Sequence, residues 1–406
     1  MAAKKMLVPQ QSKGGTYKSM AGIVAVLFAV YFIISSVPGL TSGGEYSSYF
    51  GKSYYSENVA EYEFPDRVMH YKYDGPKEKA CLVLITRNID AYDVLNTIKS
   101  VEDRFNGHYN YDWVFMNNQP FSEEFIYIVG EMASGRVRFA TIPEEQWSFP
   151  ESVDRKKSAE ARKDMMDKYV PLSGFLNYRH LWRFNVGFFH TNPIFDDYEY
   201  YWNIETDMKL VCDVNYDVFK FMKDNGKKYG FLNGRRTFSF GVETLWKNTA
   251  EFLKLFPNYL AKDNGMPYVS DDNGASYNLC GFDAGNEIGA FSFFKSEAYQ
   301  NYFKFMDKFD GWYYERWSDS DFRAITTSLF LNKNEVHHFE DLGYYHTLGE
   351  YDKEMVCPLD KNIRLENKCG CDPSLNMNWS SKSCLPKYYD MVGRVKPPKW
   401  KALQSV

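Results

Sequence analysis

The sequence has no excess of positive charge. Its 48 Lys and Arg stand against 53 Asp and Glu, a net charge of −5 over 406 residues, so phosphates along a nucleic acid would find little to neutralise them and that partner is set aside. A mean hydropathy of −0.49 excludes a polytopic membrane protein. No G-x-G-x-x-G and no G-x-x-x-x-G-K-[ST] follows the first apolar strand pattern, so neither a Rossmann dinucleotide fold nor a P-loop ATPase is supported. Cysteine is scarce, seven in all, and none form a C-x2-C pair. What is abundant is aromatic: 32 Tyr, 32 Phe and 9 Trp, residues that fill cores and also offer flat faces to sugars. Hydrophobic content of 44% with 25% charged residues matches an ordinary folded domain.

One long uncharged stretch exists. Residues 20–40, MAGIVAVLFAVYFIISSVPGL, are long enough to cross a bilayer core. Lys4, Lys5, Lys13 and Lys18 precede the run and Glu45 is the first charge after it, so the positive-inside rule predicts a cytosolic tail over 1–19 and type II topology for a signal-anchor. A cleaved signal peptide ending near Pro38 and a buried core helix are the alternatives. Lumenal exposure permits disulfides, and Cys357, Cys369, Cys371 and Cys384 are expected to staple the C-terminal region. A four-cysteine zinc site is the rival reading. Cys81, opening the apolar run CLVLITR, is expected to stay unpaired. Asn378-Trp379-Ser380 is the one N-x-[ST] triplet, consistent with a surface loop in the secretory pathway.

Residues 41–76, rich in Gly, Ser, Tyr and charge, read as a stem; 77–392 as the catalytic domain; 393–406 as a tail. From residue 77 apolar runs alternate with helix-period segments: CLVLITR, a helix near 91–105, YDWVFMNN, a helix around 123–132, then VRFATIP. This order predicts an α/β fold with a mainly parallel central sheet flanked by helices.

Within YYWNIETDMKL, Glu205 and Asp207 lie two residues apart at the end of an apolar strand pattern. Alternate residues of an extended strand share a face, which would aim both carboxylates into one site. Paired carboxylates suit Mn²⁺ or Mg²⁺, and such an ion neutralises charge building on a departing nucleoside diphosphate.

The spaced segments KACLVLITRN, EDRFNGHYNYDWVFMNNQPFSEEF, YRHLWRFNVGFF, YYWNIETDMKLVCDVNYDVF, YNLCGFDAGNEIG, YYERWSDSD and HHFEDLGYYH occur in this order. Together they resemble the fungal Golgi α-1,2-mannosyltransferase family over roughly residues 77–392. The resemblance implies a GT-A-type fold, GDP-mannose as donor, Mn²⁺ as cofactor, a mannosylated glycoprotein acceptor, retention of configuration, and a single-pass type II place in the Golgi membrane. It implies Glu205 and His346 as metal ligands and Glu287 as the catalytic residue beside the reacting sugar. Arg87, Tyr178, Asp207 and Asp319 follow as donor-binding residues, and Arg316 and Trp317 as acceptor-binding ones. Thr206 stands where the family's E-P-D strand has proline, and LNGRRTFSF replaces an acidic, tyrosine-containing stretch.

Other readings stay open. Glu287 could instead orient a hydroxyl or pair with Arg87 or Arg316. Trp312, Tyr313, Tyr314 and Trp317 could stack on a sugar or fill the core. The adjacent His337 and His338 point to opposite faces of a strand and are expected to be structural. Mannosylphosphate transfer on the same fold, or a catalytically weak sugar-binding subunit, are the competing functions.

Overall fold

β1 (Ala60–Tyr62) precedes β2 (Ala80–Ile85), β3 (Asp112–Asn117) and β4 (Val137–Thr141). β2 is apolar at every position, as a strand covered on both faces requires. Cys81 and Val83 belong to one core cluster while Ala80, Leu82 and Leu84 belong to the other. The helix Ala91–Val101 buries Val94, Ile98 and Val101 on one stripe. Glu123–Met132 forms the second predicted helix, capped by the Ser122 side chain.

In this computed structural model the described residues are 60–62, 73–348, 352–398 and 400–401. The spans read as cytosolic tail, anchor and most of the stem lie outside them. No helix among the described residues is long and apolar enough to cross a membrane.

The next strands are β5 (Tyr200–Asn203), β6 (Lys209–Leu210), β7 (Tyr229–Phe231), β8 (Gly234–Arg236), β9 (Cys280–Phe282) and β10 (Glu287–Ala290). Last come β11 (Val336–His338), β12 (Tyr344–Leu348) and β13 (Asp352–Val356). The central sheet runs β1-β4-β3-β2-β5-β10-β7-β11. Parallel pairing joins β4, β3, β2 and β5, as expected. Beyond β5 the expectation needs correcting: β10 runs against both neighbours and makes the sheet mixed. β1 also pairs antiparallel with β4, so a piece of the presumed stem belongs to the sheet. Two small sheets, β13-β12-β6 and β8-β9, stand outside it.

Three disulfides close the C-terminal region, which rules out the four-cysteine zinc site. Only Cys357–Cys371 stays within that region; Cys369 bonds Cys212 and Cys384 bonds Cys280, so the tail is fastened to the body. Cys81 is free and buried, as expected. Asn378 corrects the surface-loop reading: it is buried, and its amide donates to the Leu232 carbonyl at 2.7 Å. Trp400, in the presumed tail, packs on Trp379 with ring centroids 5.9 Å apart.

Candidate active site

Ligands of open α/β sheets collect at the carboxyl ends of the strands, and here those ends carry the predicted residues. Ile204 extends β5 by bonding to the Val83 carbonyl at 2.9 Å, and the chain then turns, with Met208 N–H donating to Glu205 C=O at 3.2 Å. Asp207 occupies the left-handed region, φ +68°, which Asp tolerates at the third position of such a turn. Glu205 and Asp207 therefore do not share a strand face; the alternation argument fails because the strand has already ended. Thr206, in the turn position that favours proline, instead donates its hydroxyl to Thr86 Oγ1 at 3.3 Å, tying the turn to the end of β2.

β6 begins immediately after the turn and pairs with β12, with Tyr344 opposite Leu210. That register brings His346 to the turn. Its Nδ1 lies 3.2 Å from Glu205 Oε2, and its Nε2 lies 3.2 Å from the Thr206 carbonyl. A carbonyl only accepts, so Nε2 donates to it, and Nδ1 is the nitrogen that faces the carboxylate. The His346 side chain is 6% exposed and that of Glu205 40%.

Two more carboxylates crowd the same place. Asp283, which sequence reasoning missed, follows β9 and accepts from Tyr344 O–H at 2.9 Å. Asp319 starts the helix Asp319–Phe330 and accepts from Asn185 at 2.8 Å. Desolvation raises the Glu205 carboxyl pKa to about 7, with Asp283 and Asp319 pushing the same way and His346 and Arg235 opposing. A Cβ added to Gly285 would stand 2.2 Å from Glu205 Cδ, so only glycine lets this segment pass beneath the carboxylate. The neighbouring Asn286 is wholly buried, and neither of its amide atoms has a partner. An acidic residue and a glycine directly after a short apolar strand were the available signal for this segment.

The donor-side candidates gather around this cluster. Arg87, just beyond β2, is exposed and forms a bidentate pair with Asp90, both contacts 2.8 Å. Tyr178, on the helix Leu176–Gly187, is half-buried; burial raises its hydroxyl pKa, Glu205 adds to this and Arg87 opposes it. Asp207 is raised first by burial, then by Asp93, against the pull of His346.

Other candidates fall elsewhere. Glu287 is 1% exposed, in mid-sheet opposite Asn203 and Phe231. Its carboxylate accepts from Tyr201 O–H at 2.6 Å and from Arg323 Nε at 3.0 Å to both oxygens. This arrangement does not give Glu287 the exposure that contact with a sugar requires, and its cation is Arg323 rather than Arg87 or Arg316. Trp317 needs the same correction: it is fully buried and donates its indole N–H to Glu315 at 2.7 Å, so no face is free for an acceptor sugar. Trp312 and Tyr313 are core as well. Arg316 is partly exposed and lies over the Trp182 ring, 4.7 Å from its centroid. His338 is buried against Phe231 and Tyr388, as a structural histidine should be.

An α/β sheet with a carboxylate–imidazole pair and further acids at its strand ends is the frame of a glycosyltransferase that handles a metal-bound diphosphate. Residues 50–393 match the family described as glycolipid 2-alpha-mannosyltransferase, and the chain belongs to that family. It is 42% identical over 401 residues to the α-1,2-mannosyltransferase KTR1 of Saccharomyces cerevisiae, covering 98% of each chain. With glycolipid 2-α-mannosyltransferase 1 of Candida albicans it shares 44% identity over 315 residues, 78% of this chain and 72% of that one. Among solved structures it resembles core-mannan synthase A of Aspergillus fumigatus in its Mn/GDP form. That likeness has a TM-score of 0.73 and 30% identity, and covers 82% of this chain and 90% of that one.

Proposed function

We propose that the chain transfers mannose from GDP-mannose to a hydroxyl of a mannosyl acceptor on O- or N-linked glycans. The transfer retains configuration, forms an α-1,2 linkage and uses Mn²⁺. The fold is read as GT-A type, and residues 20–40 as the anchor of a type II Golgi membrane protein.

The Glu205–His346 pair carries this reading. The two donor atoms lie 3.2 Å apart, close enough that one divalent ion could be held by both. The other imidazole nitrogen is committed to a backbone carbonyl, the usual second contact of a metal-ligating histidine. One carboxylate and one imidazole suit Mn²⁺ and leave room for diphosphate oxygens and water. An ion held there would neutralise the charge that develops on departing GDP.

The remaining work belongs to the chain's own residues. Arg87 offers a planar fork to base or phosphate, a role Asp90 fills in its absence. Tyr178 and Asp207 flank the donor, and Asp319 and the idle amide of Asn286 take sugar hydroxyls in a site where little water competes. Glu287 acts as a positioning residue: it holds Arg323, which bonds the Asn185 carbonyl at 2.9 Å, and Asn185 holds Asp319.

The test is turnover of GDP-mannose by the full chain with Mn²⁺ and methyl α-mannoside, the donor carrying separate labels in sugar and β-phosphate. A product with the sugar label alone in α-1,2 linkage is expected. Phosphorus label in the product overturns the reading in favour of mannosylphosphate transfer. Sugar binding without turnover overturns it in favour of a binding subunit.

A further inference from the structure

On the helix that carries Tyr178, the next residue meets a different neighbour. Arg179 reaches the helix Arg155–Asp167, with Nη2 3.6 Å from Met165 Sδ and 3.2 Å from the Ser173 carbonyl. It is wholly buried, yet Nε and Nη1 bond to nothing, and the buried Ser173 hydroxyl is idle as well. Among the described residues no carboxylate forms an ion pair with Arg179, Arg162 or Arg316. Burial, then Arg316 and Arg162, pull the Arg179 pKa down to about 9.

Stacking on Trp182 does not remove the anomaly. The Arg179 and Arg316 guanidinium carbons lie 5.5 and 4.7 Å from that ring's centroid, which satisfies their flat faces but leaves Nε and Nη1 of Arg179 without acceptors. Buried donors without acceptors are rare in folded proteins. Arg162 donates to Ser158 Oγ at 2.8 Å and Arg316 Nε to the Pro171 carbonyl at 3.2 Å, but neither brings a carboxylate, so each guanidinium disfavours the charge of the others. The covering segment, 169–175, is itself strained: Tyr169 and Leu172 both hold left-handed backbone, φ +57° and +61°.

We propose that Arg162, Arg179, Arg316 and the Ser173 hydroxyl form a binding site for a phosphate-class anion, entered when the segment 169–175 lifts. The anion replaces the Ser173 carbonyl and takes the idle N–H groups bidentately. Its source is either a phosphorylated sugar or free inorganic phosphate. The inference does not depend on the transferase reading.

Thermal unfolding of the full chain in metal-depleted buffer tests it, with inorganic phosphate, mannose 6-phosphate, mannose, or chloride at matched ionic strength. Phosphate or mannose 6-phosphate should raise Tm by roughly 4 °C at a hundredfold excess over its dissociation constant. The tighter of the two identifies the source, and mannose should do nothing. Arg179→Met should unfold no earlier than wild type without anion, since an unpaired buried charge is gone, and should lose the anion-dependent shift. Arg316→Gln, at a partly exposed position, should raise the anion concentration at half-effect at least about fivefold. A shift that persists in Arg179→Met, an unchanged half-effect concentration in Arg316→Gln, or no shift in wild type overturns the proposal.

Discussion

Two glutamates, one in the turn just past β5 and one on the neighbouring β10, have opposite surroundings. Glu205, just past β5, has 40% of its side chain exposed and is crowded by Asp283 and Asp319. Glu287, on β10, is sealed in with a guanidinium and two tyrosines. Like charges around Glu205 make sense only if a cation arrives to balance them. Glu287 already has its cation. One carboxylate is built to receive something and the other to hold something, although β5 and β10 are neighbours in the sheet.

The comparison is tested most severely at Glu205. Glu205→Gln should cut mannosyl transfer by roughly a thousandfold or more while leaving Tm level or slightly higher, because like-charge crowding is relieved. A large fall in Tm would make Glu205 a structural residue. At the sealed site the emphasis reverses. Glu287→Gln leaves Arg323 unpaired and should cost about 3–5 kcal/mol in denaturant unfolding, whereas Glu287→Leu with Arg323→Met together should recover most of it. If the double variant is no better than the single one, the pair is not the unit of stability.

A pH effect is expected on the helix Leu176–Gly187. Burial lowers the His180 pKa to about 4, and its ring contacts Tyr313 O–H at 2.9 Å. A histidine depressed below its unfolded value of about 6.5 favours the folded state while neutral, so stability should fall as pH drops from about 6.5 toward 4, by about 2–3 kcal/mol. His180→Phe should flatten that slope; an unchanged slope would move the effect to other buried histidines. Gly285→Ala drives a methyl into Glu205 and should weaken Mn²⁺ binding by roughly 10- to 100-fold in calorimetric titration. The smallest effect is predicted for Thr206→Pro. It exchanges the Thr86 hydrogen bond for a fixed φ at a turn position that accepts proline, so stability and activity should change by less than about 1 kcal/mol.

The parts of the molecule legible in sequence are those set by local periodicity. The helices at Ala91–Val101 and Glu123–Met132 and strands β2 to β4 follow from apolar spacing alone. β1 and β10 do not, because three or four residues carry no period and their partners, Val137–Phe139 and Tyr200–Asn203, lie far along the chain. That Glu205 and His346 meet was legible through the family pattern. The burial of Glu287 was not, since it depends on Arg323, Tyr201 and Tyr229 arriving from three other elements. Asp283 went unread for a related reason: its importance comes from the Tyr344 hydroxyl and from Gly285 beneath Glu205, both matters of tertiary approach.

The disulfides have a consequence for the order in which a working molecule is made. Cys212 lies two residues beyond β6, and Cys280 three residues before Asp283; their partners are 157 and 104 residues further on. Synthesis runs from the N-terminus, so both acidic segments leave the ribosome long before Cys369 and Cys384 exist. Closing loops of that length removes about 4–5 kcal/mol of unfolded-state entropy each in the chain-entropy account. The centre is therefore locked by cysteines translated long after its own acidic segments. A chain released short of Cys384 would carry every candidate site residue named above and still lack the bond that ties Cys280, beside the Asp283 segment, to the C-terminal region.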